Sequence, residues 1–435
     1  MLDKLMQISL KNRLIVLLAA LAIFITGVII TIQLPVDVFP DLTAPTVTIL
    51  TEAHGFAPEE VEMLVTFPIE TAVNGASGVR RVRSTSIQGL STIWVEFEWG
   101  TDIFKARQIV NEKIQGLQNA IPAGVDQPIL APVTSIMGEI MLVGLTSDST
   151  TAMDLRTIAD YTLRRRILAV PGVSQVLVYG GETKQYQVQI DPWHLKNYDL
   201  SLNQILLAVA RTNVNAAGGI FVQSGKEYLI RGLGRIENLA ELEKTVVSMR
   251  EGVPLLLGEV AKVKIAAATK LGEASINNQR GIMLIISKQP DANTMELTER
   301  IETILTKSKT TLPLDITVHT DIFKQSDFIT LAIDNVVAAL RDGALLVIII
   351  LMLFLANIRT VIISITAIPL SLIVTMLVLK GFDLTVNTMT LGGLAIAIGV
   401  LVDDAIIYVE NVHRRLRQNT IKPKAEQRPF FDVVH

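Results

Sequence analysis

The stretch from Met389 to Val412, MTLGGLAIAIGVLVDDAIIYVENV, places two adjacent aspartates, Asp403 and Asp404, inside an otherwise apolar run. If the stretch is one membrane-spanning helix, the pair lies past its middle, where each aspartate costs about 3 kcal/mol to insert. Such residues would not persist against lipid, so we expect both to face a bundle of helices, in directions about 100° apart. Small residues that would permit a close neighbouring helix accompany them: Gly392, Gly393, Ala395, Ala397, Gly399 and Ala405.

Two carboxylates at adjacent positions predict proton chemistry. They cannot both ionise easily in a low dielectric, so at least one should be able to take up and release protons. We therefore predict that Asp403 and Asp404 form a proton relay. The alternative is a helix that ends near Val402 and leaves the pair at the cytoplasmic interface, but the apolar run from Ala405 to Val409 favours the longer helix.

Further apolar runs indicate a membrane protein, and half of the 435 residues are hydrophobic. The first run, Leu14 to Gln33, is about 20 residues long, which is enough to cross a bilayer core of about 30 Å. Gly343 to Ala356 and Val361 to Leu379 precede the run with the aspartates, and the connectors between them are short. A cleaved signal peptide is the alternative for the first run, but Leu34-Pro35-Val36-Asp37 follows it in place of a small-residue cleavage site.

Basic residues near the ends of these four predicted spans fall on one side of the membrane if the spans alternate in direction. That side is predicted to be the cytoplasm, because short cytoplasmic loops are enriched in Lys and Arg. The segment from Pro35 to about Lys324 then lies outside, in the periplasm of a bacterium with two membranes. The basic residues are Lys4, Lys11, Arg13, Arg359, Arg414, Arg415, Arg417, Lys422 and Lys424.

The outer segment has the hydropathy of a soluble α/β protein and contains a weak internal repeat. In each copy an amphipathic helix, Glu59 to Val73 or Leu155 to Ala169, ends before a Gly-Val turn that starts a strand. We therefore predict two split βαβ modules, although any α/β protein could show such passages. The predicted strands include Ser91 to Trp99 in the first copy, and Val176 to Tyr179 and Tyr186 to Ile190 in the second.

A β-hairpin is predicted between Gly218 and Ile236, with its turn at Ser224-Gly225-Lys226, after a helix at Asn203 to Ala210. The hairpin could reach a neighbouring subunit, or it could fold back on its own sheet. The sequence does not decide between these two.

The sequence carries no signature of a conventional enzyme or of a bound cofactor. Gly219 to Gly225-Lys226 has the wrong spacing for a phosphate loop, Gly180-Gly181 lacks the other Rossmann glycines, and neither a Gly-x-Ser-x-Gly elbow nor a His-Glu-x-x-His helix occurs. There is no cysteine to form a disulfide or a thiolate metal site. The formal net charge of −3 gives no basic field for nucleic acid.

The histidines show no ligand spacing among themselves, so we expect no metal site and place them at the surface or at helix caps. Met137 and Met141 lie in an apolar stretch and are expected in the core. The histidines are His54, His194, His319, His413 and His435.

Residues Gly399 to Val412 are similar to the fourth-span signature of the resistance-nodulation-division (RND) permeases, the proton-driven exporters of Gram-negative bacteria. The resemblance extends over essentially the whole chain in the same order. It implies that Asp403 and Asp404 match the proton-relay aspartates of the family, which pair with a lysine in a tenth span. Family members contain two such halves, so the chain resembles the first half only and by itself should not transport.

The resemblance also implies an architecture. This is an α-helical membrane protein with four spans and a large α+β periplasmic portion, made of ferredoxin-like split βαβ porter subdomains and an inserted docking subdomain. The hairpin would reach the next protomer of a homotrimer. The implied order is a cytoplasmic N-terminus (1–13), span 1 (14–33), a first porter subdomain (34–132), a second porter subdomain (133–181 and 271–330) around the docking subdomain (182–270), spans 2 to 4 (334–356, 360–380 and 387–412) and a cytoplasmic tail (413–435).

Three stretches resemble the heavy-metal branch of the family more than the drug branch: Leu34 to Asp41, Thr66 to Ala72 and Gly100 to Glu112. The double aspartate is the form of the drug branch, so the substrate, a metal ion or an organic compound, stays open. The implied function is proton antiport across the bacterial inner membrane, together with a periplasmic adaptor protein and an outer-membrane channel. The alternatives are a membrane-anchored periplasmic sensor or assembly module without transport, and a relative that exports lipid or protein.

Overall fold

The computed structural model describes residues 9, 12–34, 44–117, 120–134, 138–270, 272–290, 292–355, 358–382, 384–423, 427–429 and 433. The predictions for Met137 and His435 lie outside these residues, as do residues 35–41 of the stretch that resembles the heavy-metal branch. The strands are, in chain order, β1 (Thr46–Glu52), β2 (Val79–Ile87), β3 (Leu90–Phe97), β4 (Ile129–Leu130), β5 (Glu139–Ser147), β6 (Val173–Gly180), β7 (Lys184–Ile190), β8 (Ala216–Gln223), β9 (Lys226–Gly232), β10 (Val246–Arg250), β11 (Val253–Leu256), β12 (Ala261–Ala267), β13 (Ala274–Ile276), β14 (Gln279–Lys288) and β15 (Ile316–Lys324).

Two of the helices are composite, and each has a π-helical segment in its middle. These are α2, made of Pro58–Val61, Glu62–Thr66 and Phe67–Asn74, and α4, made of Ala152–Ile158, Ala159–Leu163 and Arg164–Leu168. The full set is α1 (Arg13–Gln33), α2, α3 (Ile103–Gln115), α4, α5 (Pro192–Asn197), α6 (Leu202–Thr212), α7 (Leu239–Glu243), α8 (Leu257–Val260), α9 (Thr294–Lys309), α10 (Gln325–Leu355), α11 (Ile358–Gly381) and α12 (Thr388–Ile421). The helices predicted at Glu59 to Val73, Leu155 to Ala169 and Asn203 to Ala210 are confirmed as α2, α4 and α6.

The first two sheets share one topology. The first has the order β4-β1-β3-β2, and the second has the order β15-β5-β14-β6, with β13 as a short hairpin partner of β14. In each sheet the strands are antiparallel, one helix follows the first strand and another follows the third. This is the split βαβ arrangement predicted from the repeat. The strand predicted at Tyr186 to Ile190 is the exception, because β7 pairs with β12 outside the second sheet.

The Gly-Val turns of the two repeats have the same physical cause. Gly78 and Gly172 have φ values of +80° and +100°, a left-handed conformation that residues with a Cβ atom rarely adopt. Each glycine ends the passage from its helix, and the following valine, Val79 or Val173, begins a strand. The glycine therefore turns the chain back toward the sheet at the equivalent point of both units.

Each unit buries its own apolar core, because alternate strand residues and one face of each helix point inward. The first core contains Ile49, Ile93 and Phe97, and the second contains Met141 and Ile282. All five are fully buried. The prediction of a core position for Met141 is confirmed.

The chain between β6 and β14 forms a third, smaller unit. β7 pairs with β12 and β10 pairs with β11, and Ile205, Leu257 and Val260 lie in a buried cluster beside them. Because this unit enters and leaves through neighbouring strands of the second sheet, it is an insertion into that sheet's chain order.

The predicted hairpin is confirmed as β8 and β9, which are joined by Ser224 and Gly225 and hydrogen-bonded to each other. Among the described residues neither strand pairs with any other, so the alternative in which the hairpin folds back on its own sheet is wrong. Its apolar side chains lie in solvent: Ile220 is 63% exposed and Leu229 is 71% exposed.

One helix among the described residues has the length and hydropathy needed to cross a bilayer, and this is α1 over Arg13–Thr31. A shorter apolar helical stretch lies at Pro369–Gly381. The structure has helices α10, α11 and α12 where the other three spans are predicted, and their crossing of a membrane stays a prediction. Helix α12 continues to Ile421, so the alternative in which it ends near Val402 is wrong.

Candidate functional site

Helix α12, which contains Asp403 and Asp404, begins at a reciprocal cap. The side chain of Asn387, which is 2% exposed, accepts a hydrogen bond from the Thr390 N–H at 2.9 Å, and the Thr390 hydroxyl accepts one from the Asn387 N–H at 2.8 Å. These bonds satisfy donors that the first helical turn leaves unpaired. The local sequence therefore determines where the helix starts.

From this cap the helix runs for 34 residues, a length of about 51 Å. Asp403 lies about 22 Å along the axis from Thr388, so if α12 crosses a membrane from its cap, Asp403 falls within the roughly 30 Å of the bilayer core. The side chains of Asp403 and Asp404 lie outside the described part of the chain. Their role as a proton relay stays a prediction.

Helix α11 contacts both α1 and α12. At Gly27 the approach of α1 to α11 is so close that a Cβ atom would stand 1.9 Å from Ile373 Cγ2 and 3.5 Å from Leu377 Cδ1. Only a residue without a side chain allows this helix crossing.

The small residues of α12 do not mark such a crossing within the described residues. No described atom lies within 4 Å of a Cβ placed on Gly392 or Gly393, so the close neighbouring helix that these residues would permit stays a prediction. Near them Leu394 packs with Met376 of α11 and with Leu34 in a small buried cluster. Helix α12 is therefore held to α11 by larger apolar side chains.

Helix α10 is joined to the second sheet without an intervening loop, because Lys324 ends β15 and Gln325 begins α10. Lys324 Nζ lies 2.5 Å from Glu302 Oε1 of α9, and this hydrogen bond raises the pKa of Lys324. The rings of Phe323 and Phe328 are in contact across the junction, with centroids 5.7 Å apart. A shift of α10 would therefore be carried directly into the second sheet.

Asp315 closes one end of that sheet. Its Oδ2 accepts hydrogen bonds from the hydroxyls of Ser147 at 2.5 Å and of Ser149 and Thr150 at 2.7 Å, and from the Thr150 N–H at 3.0 Å. These donors, Ser147 first, hold the pKa of Asp315 well below its usual range. The carboxylate ties the end of β5 to the start of β15.

A cavity of about 630 Å³ lies between α4 and the start of β7, and its basic lining residues are Arg156, Arg164, Arg165 and Lys184. Arg156 donates hydrogen bonds to Asp160 Oδ2 and to the Gly180 carbonyl, each at 2.6 Å. The bond to the Gly180 carbonyl holds the helix to the end of β6, whereas Asp160 lies on the same helix as Arg156. The remaining positive charge makes this cavity unsuitable for a cation.

His54 lies next to two carboxylates that the spacing between histidines did not reveal. Its Nε2 is 3.2 Å from Glu52 Oε2 and 3.9 Å from Asp126 Oδ2, and one ligand atom from each residue lies within 4.8 Å of the others. The sequence did contain part of the pattern, because residues two apart at a strand end, such as Glu52 and His54, project to the same face. Asp126 is brought in only by the tertiary structure.

Residues 5–430 match the model of the AcrB/AcrD/AcrF family. The chain is 35% identical over 425 residues to protein HelA of Legionella pneumophila, which covers 96% of this chain and 40% of that protein. It is 31% identical over 445 residues to the cobalt-zinc-cadmium resistance protein CzcA of Cupriavidus metallidurans, which covers 100% of this chain and 42% of that protein. Cation efflux system protein CusA of Escherichia coli is 34% identical, with 96% of this chain and 40% of that protein covered.

A crystal structure of a heavy metal efflux pump superposes on this chain with a TM-score of 0.88 at 30% identity, covering 99% of this chain and 42% of the other. The chain thus spans about two fifths of the length of the relatives it matches. The shared fold is that of a membrane protein with periplasmic porter domains. The chain therefore belongs to the AcrB/AcrD/AcrF family, the RND efflux permeases that the sequence around Asp403 and Asp404 resembles.

Proposed function

We propose that this chain forms the N-terminal part of a bacterial inner-membrane permease that exports divalent heavy-metal cations in exchange for protons. The family match over residues 5–430 is the observation that carries the proposal, and it favours a transporter over an enzyme, a sensor or an assembly module. The names of the relatives, a cobalt-zinc-cadmium resistance protein and a cation efflux system protein, favour cations over organic compounds.

The proposed mechanism starts at Asp403 and Asp404 on α12. A proton that arrives from the periplasm binds one carboxylate and removes its charge, which changes the free energy of packing α12 against α10 and α11. Release of that proton to the cytoplasm restores the charge. The two packings are the two states of the switch.

Helix α10 would carry this change outward. It contacts both α11 and α12, and it continues from β15 without a loop. The bond between Lys324 and Glu302 ties that junction to α9, which covers the second sheet. Movement of the helix bundle would therefore move the porter unit that holds the cation.

In the assembled system we propose a homotrimer that works with a periplasmic adaptor protein and an outer-membrane channel. The exposed apolar side chains of the β8–β9 hairpin would be covered by the next protomer, which gives that exposure a physical reason. Residues 182–270 form the docking subdomain in this proposal. The porter subdomains are 34–132 and 133–181 with 271–330.

The substitution Asp404→Asn in the complete permease tests the relay. We expect loss of zinc, cobalt and cadmium resistance in cells that contain the permease and its partners, and loss of metal-dependent proton flux in proteoliposomes. Glu410→Gln changes an exposed acidic residue of the same helix and is the control, which should retain both activities.

Retained resistance in Asp404→Asn, with normal membrane insertion, would disprove the relay. The cation substrate would be disproved if the parent permease conferred no metal resistance but exported an organic compound. If Asp404→Asn then lost that export, the relay would still stand. The two parts of the proposal are therefore tested separately.

A further inference from the structure

We propose that Glu52, His54 and Asp126 form a surface site for a borderline divalent cation such as Zn²⁺. The imidazole Nε2 and one oxygen of each carboxylate lie within 4.8 Å of one another at the end of β1. The three side chains come from two separate stretches of the first unit. Their convergence is the observation that carries the proposal.

Two of the ligands point outward where β1 ends, Glu52 as its last residue and His54 two residues later. Ala53 is fully buried in the first core, so its neighbours Glu52 and His54 project to the opposite face. Their side chains are 59% and 74% exposed, and the His54 Nε2 to Glu52 Oε2 distance is 3.2 Å. A cation can therefore approach both from solvent.

The third ligand is positioned by the backbone. The Asp126 N–H donates to the Glu52 carbonyl at 2.8 Å, and the Ala53 N–H donates to the Gly89 carbonyl at 2.8 Å. These bonds fix the main chain under Glu52 and Asp126, so binding would order side chains only.

The donor set indicates the class of metal. Zn²⁺ and Co²⁺ accept imidazole nitrogen and carboxylate oxygen at about 2.0–2.2 Å, which separates neighbouring ligand atoms by about 3.3–3.6 Å in a tetrahedron. The His54–Glu52 pair is already near this separation. Asp126 Oδ2, 3.9 Å from His54 Nε2, needs a small rotation that its exposed side chain allows.

The same donor set disfavours other cations. Ca²⁺ and Mg²⁺ prefer sites made wholly of oxygen, and Cu⁺ and Ag⁺ prefer thiolate or thioether sulfur. With three protein ligands, the fourth position is left to water, so ions should exchange readily. In a cation exporter the site would collect ions at the outer surface, but cation binding here rests on its own geometry and needs no proton flux.

The test is metal binding to the full 435-residue chain, purified in detergent without a polyhistidine tag. Co²⁺ titration reports coordination through visible absorption, and competition with a chromophoric chelator gives the Zn²⁺ affinity. The variants are Glu52→Gln, His54→Ala and Asp126→Asn. His194→Ala is the matched control, because His194 is also exposed but, in the part of the chain that the structure describes, is paired with a single carboxylate, that of Asp191 at 3.5 Å.

We expect each of the three variants to weaken Zn²⁺ binding at one site by about 10-fold or more, with His194→Ala unchanged. Excess Ca²⁺ should not displace the Co²⁺ absorption. The proposal is overturned if the parent chain binds no Zn²⁺ at this site, or if the variants bind it as tightly as the parent. Loss of the site with intact metal resistance would leave the export proposal standing.

Discussion

The crossing of α1 and α11 at Gly27 predicts that the smallest side-chain addition there destabilises the helix bundle. In Gly27→Ala the new Cβ would stand 1.9 Å from Ile373 Cγ2 and 3.3 Å from Ile373 Cβ. Rotation of Ile373 cannot relieve both contacts, because a β-branched side chain is restricted at χ1 in a helix. Ile373 is itself buried, so the helices must separate or the side chain must leave its rotamer.

The expected magnitude follows from two opposing effects. Overpacking of this severity costs about 3 kcal/mol, and replacing glycine by alanine inside a helix recovers about 1 kcal/mol. Gly27→Ala should therefore lower the free energy of unfolding by about 2 kcal/mol. Gly343→Ala in α10 is the control, because nothing described lies within 4 Å of its Cβ position, and it should be neutral or stabilising by up to about 1 kcal/mol.

Denaturation of the detergent-solubilised chain, followed by circular dichroism, measures both substitutions. The double variant Gly27→Ala with Ile373→Ala removes the clashing methyl groups, so the double-mutant cycle should show a favourable coupling of about 2 kcal/mol. Equal stability of Gly27→Ala and Gly343→Ala, or additive effects of the Gly27 and Ile373 substitutions, would refute the close crossing.

Two further predictions concern the second sheet. Because hydrogen bonds lower the pKa of Asp315 in the folded state, its contribution to stability is complete above the usual carboxyl pKa of about 4 and is lost as pH falls below it. The melting temperature of Asp315→Asn should thus lie below that of the parent at pH 7, and the gap should narrow toward pH 3. Asp148→Asn, in the exposed loop beside it, is the control and should leave the melting temperature at pH 7 close to that of the parent. A gap between Asp315→Asn and the parent that is constant with pH would contradict the argument. Met141→Ala, at a fully buried position, should lower the free energy of unfolding in urea by about 2–5 kcal/mol. Met249 is 61% exposed, so Met249→Ala should change this free energy by less than about 0.5 kcal/mol. Equal effects of the two substitutions would place Met141 outside the core.

Local chemistry made the two porter-like units predictable. The Gly-Val turns at Gly78 and Gly172 lie where the spacing of apolar residues changes from that of a helix to that of a strand. Both the left-handed turn and this change of spacing depend on a few adjacent residues. The start of α12 is local for the same reason, since Asn387 and Thr390 cap each other. The prediction for the second copy was wrong only in placing β7 in its sheet, because strand propensity does not say which strand is the partner.

The candidate metal site shows the limit of such local inference. Glu52 ends β1 and His54 follows it by two residues, a spacing that puts both side chains on the same side of an extended chain. Asp126 joins them because its N–H bonds to the Glu52 carbonyl, a contact between distant segments that exists only once the first sheet has formed. Comparing histidines with histidines could not reveal a site that contains a single histidine.

The sequence by itself determined that the chain resembles an efflux permease with an α/β outer segment. The aspartate pair in an apolar helix and the repeated helix-to-strand passages can both be recognised from residues that are adjacent in the chain. Only the tertiary structure decided which helices cross closely, because the glycines of α12 and Gly27 look alike in sequence and differ in what stands opposite them. It also decided that, among the described residues, the β8–β9 hairpin pairs with no other strand and that α10 follows β15 without a loop. The physical reason is that backbone conformation depends mainly on adjacent residues, whereas packing partners are selected by the shape and burial of the whole chain.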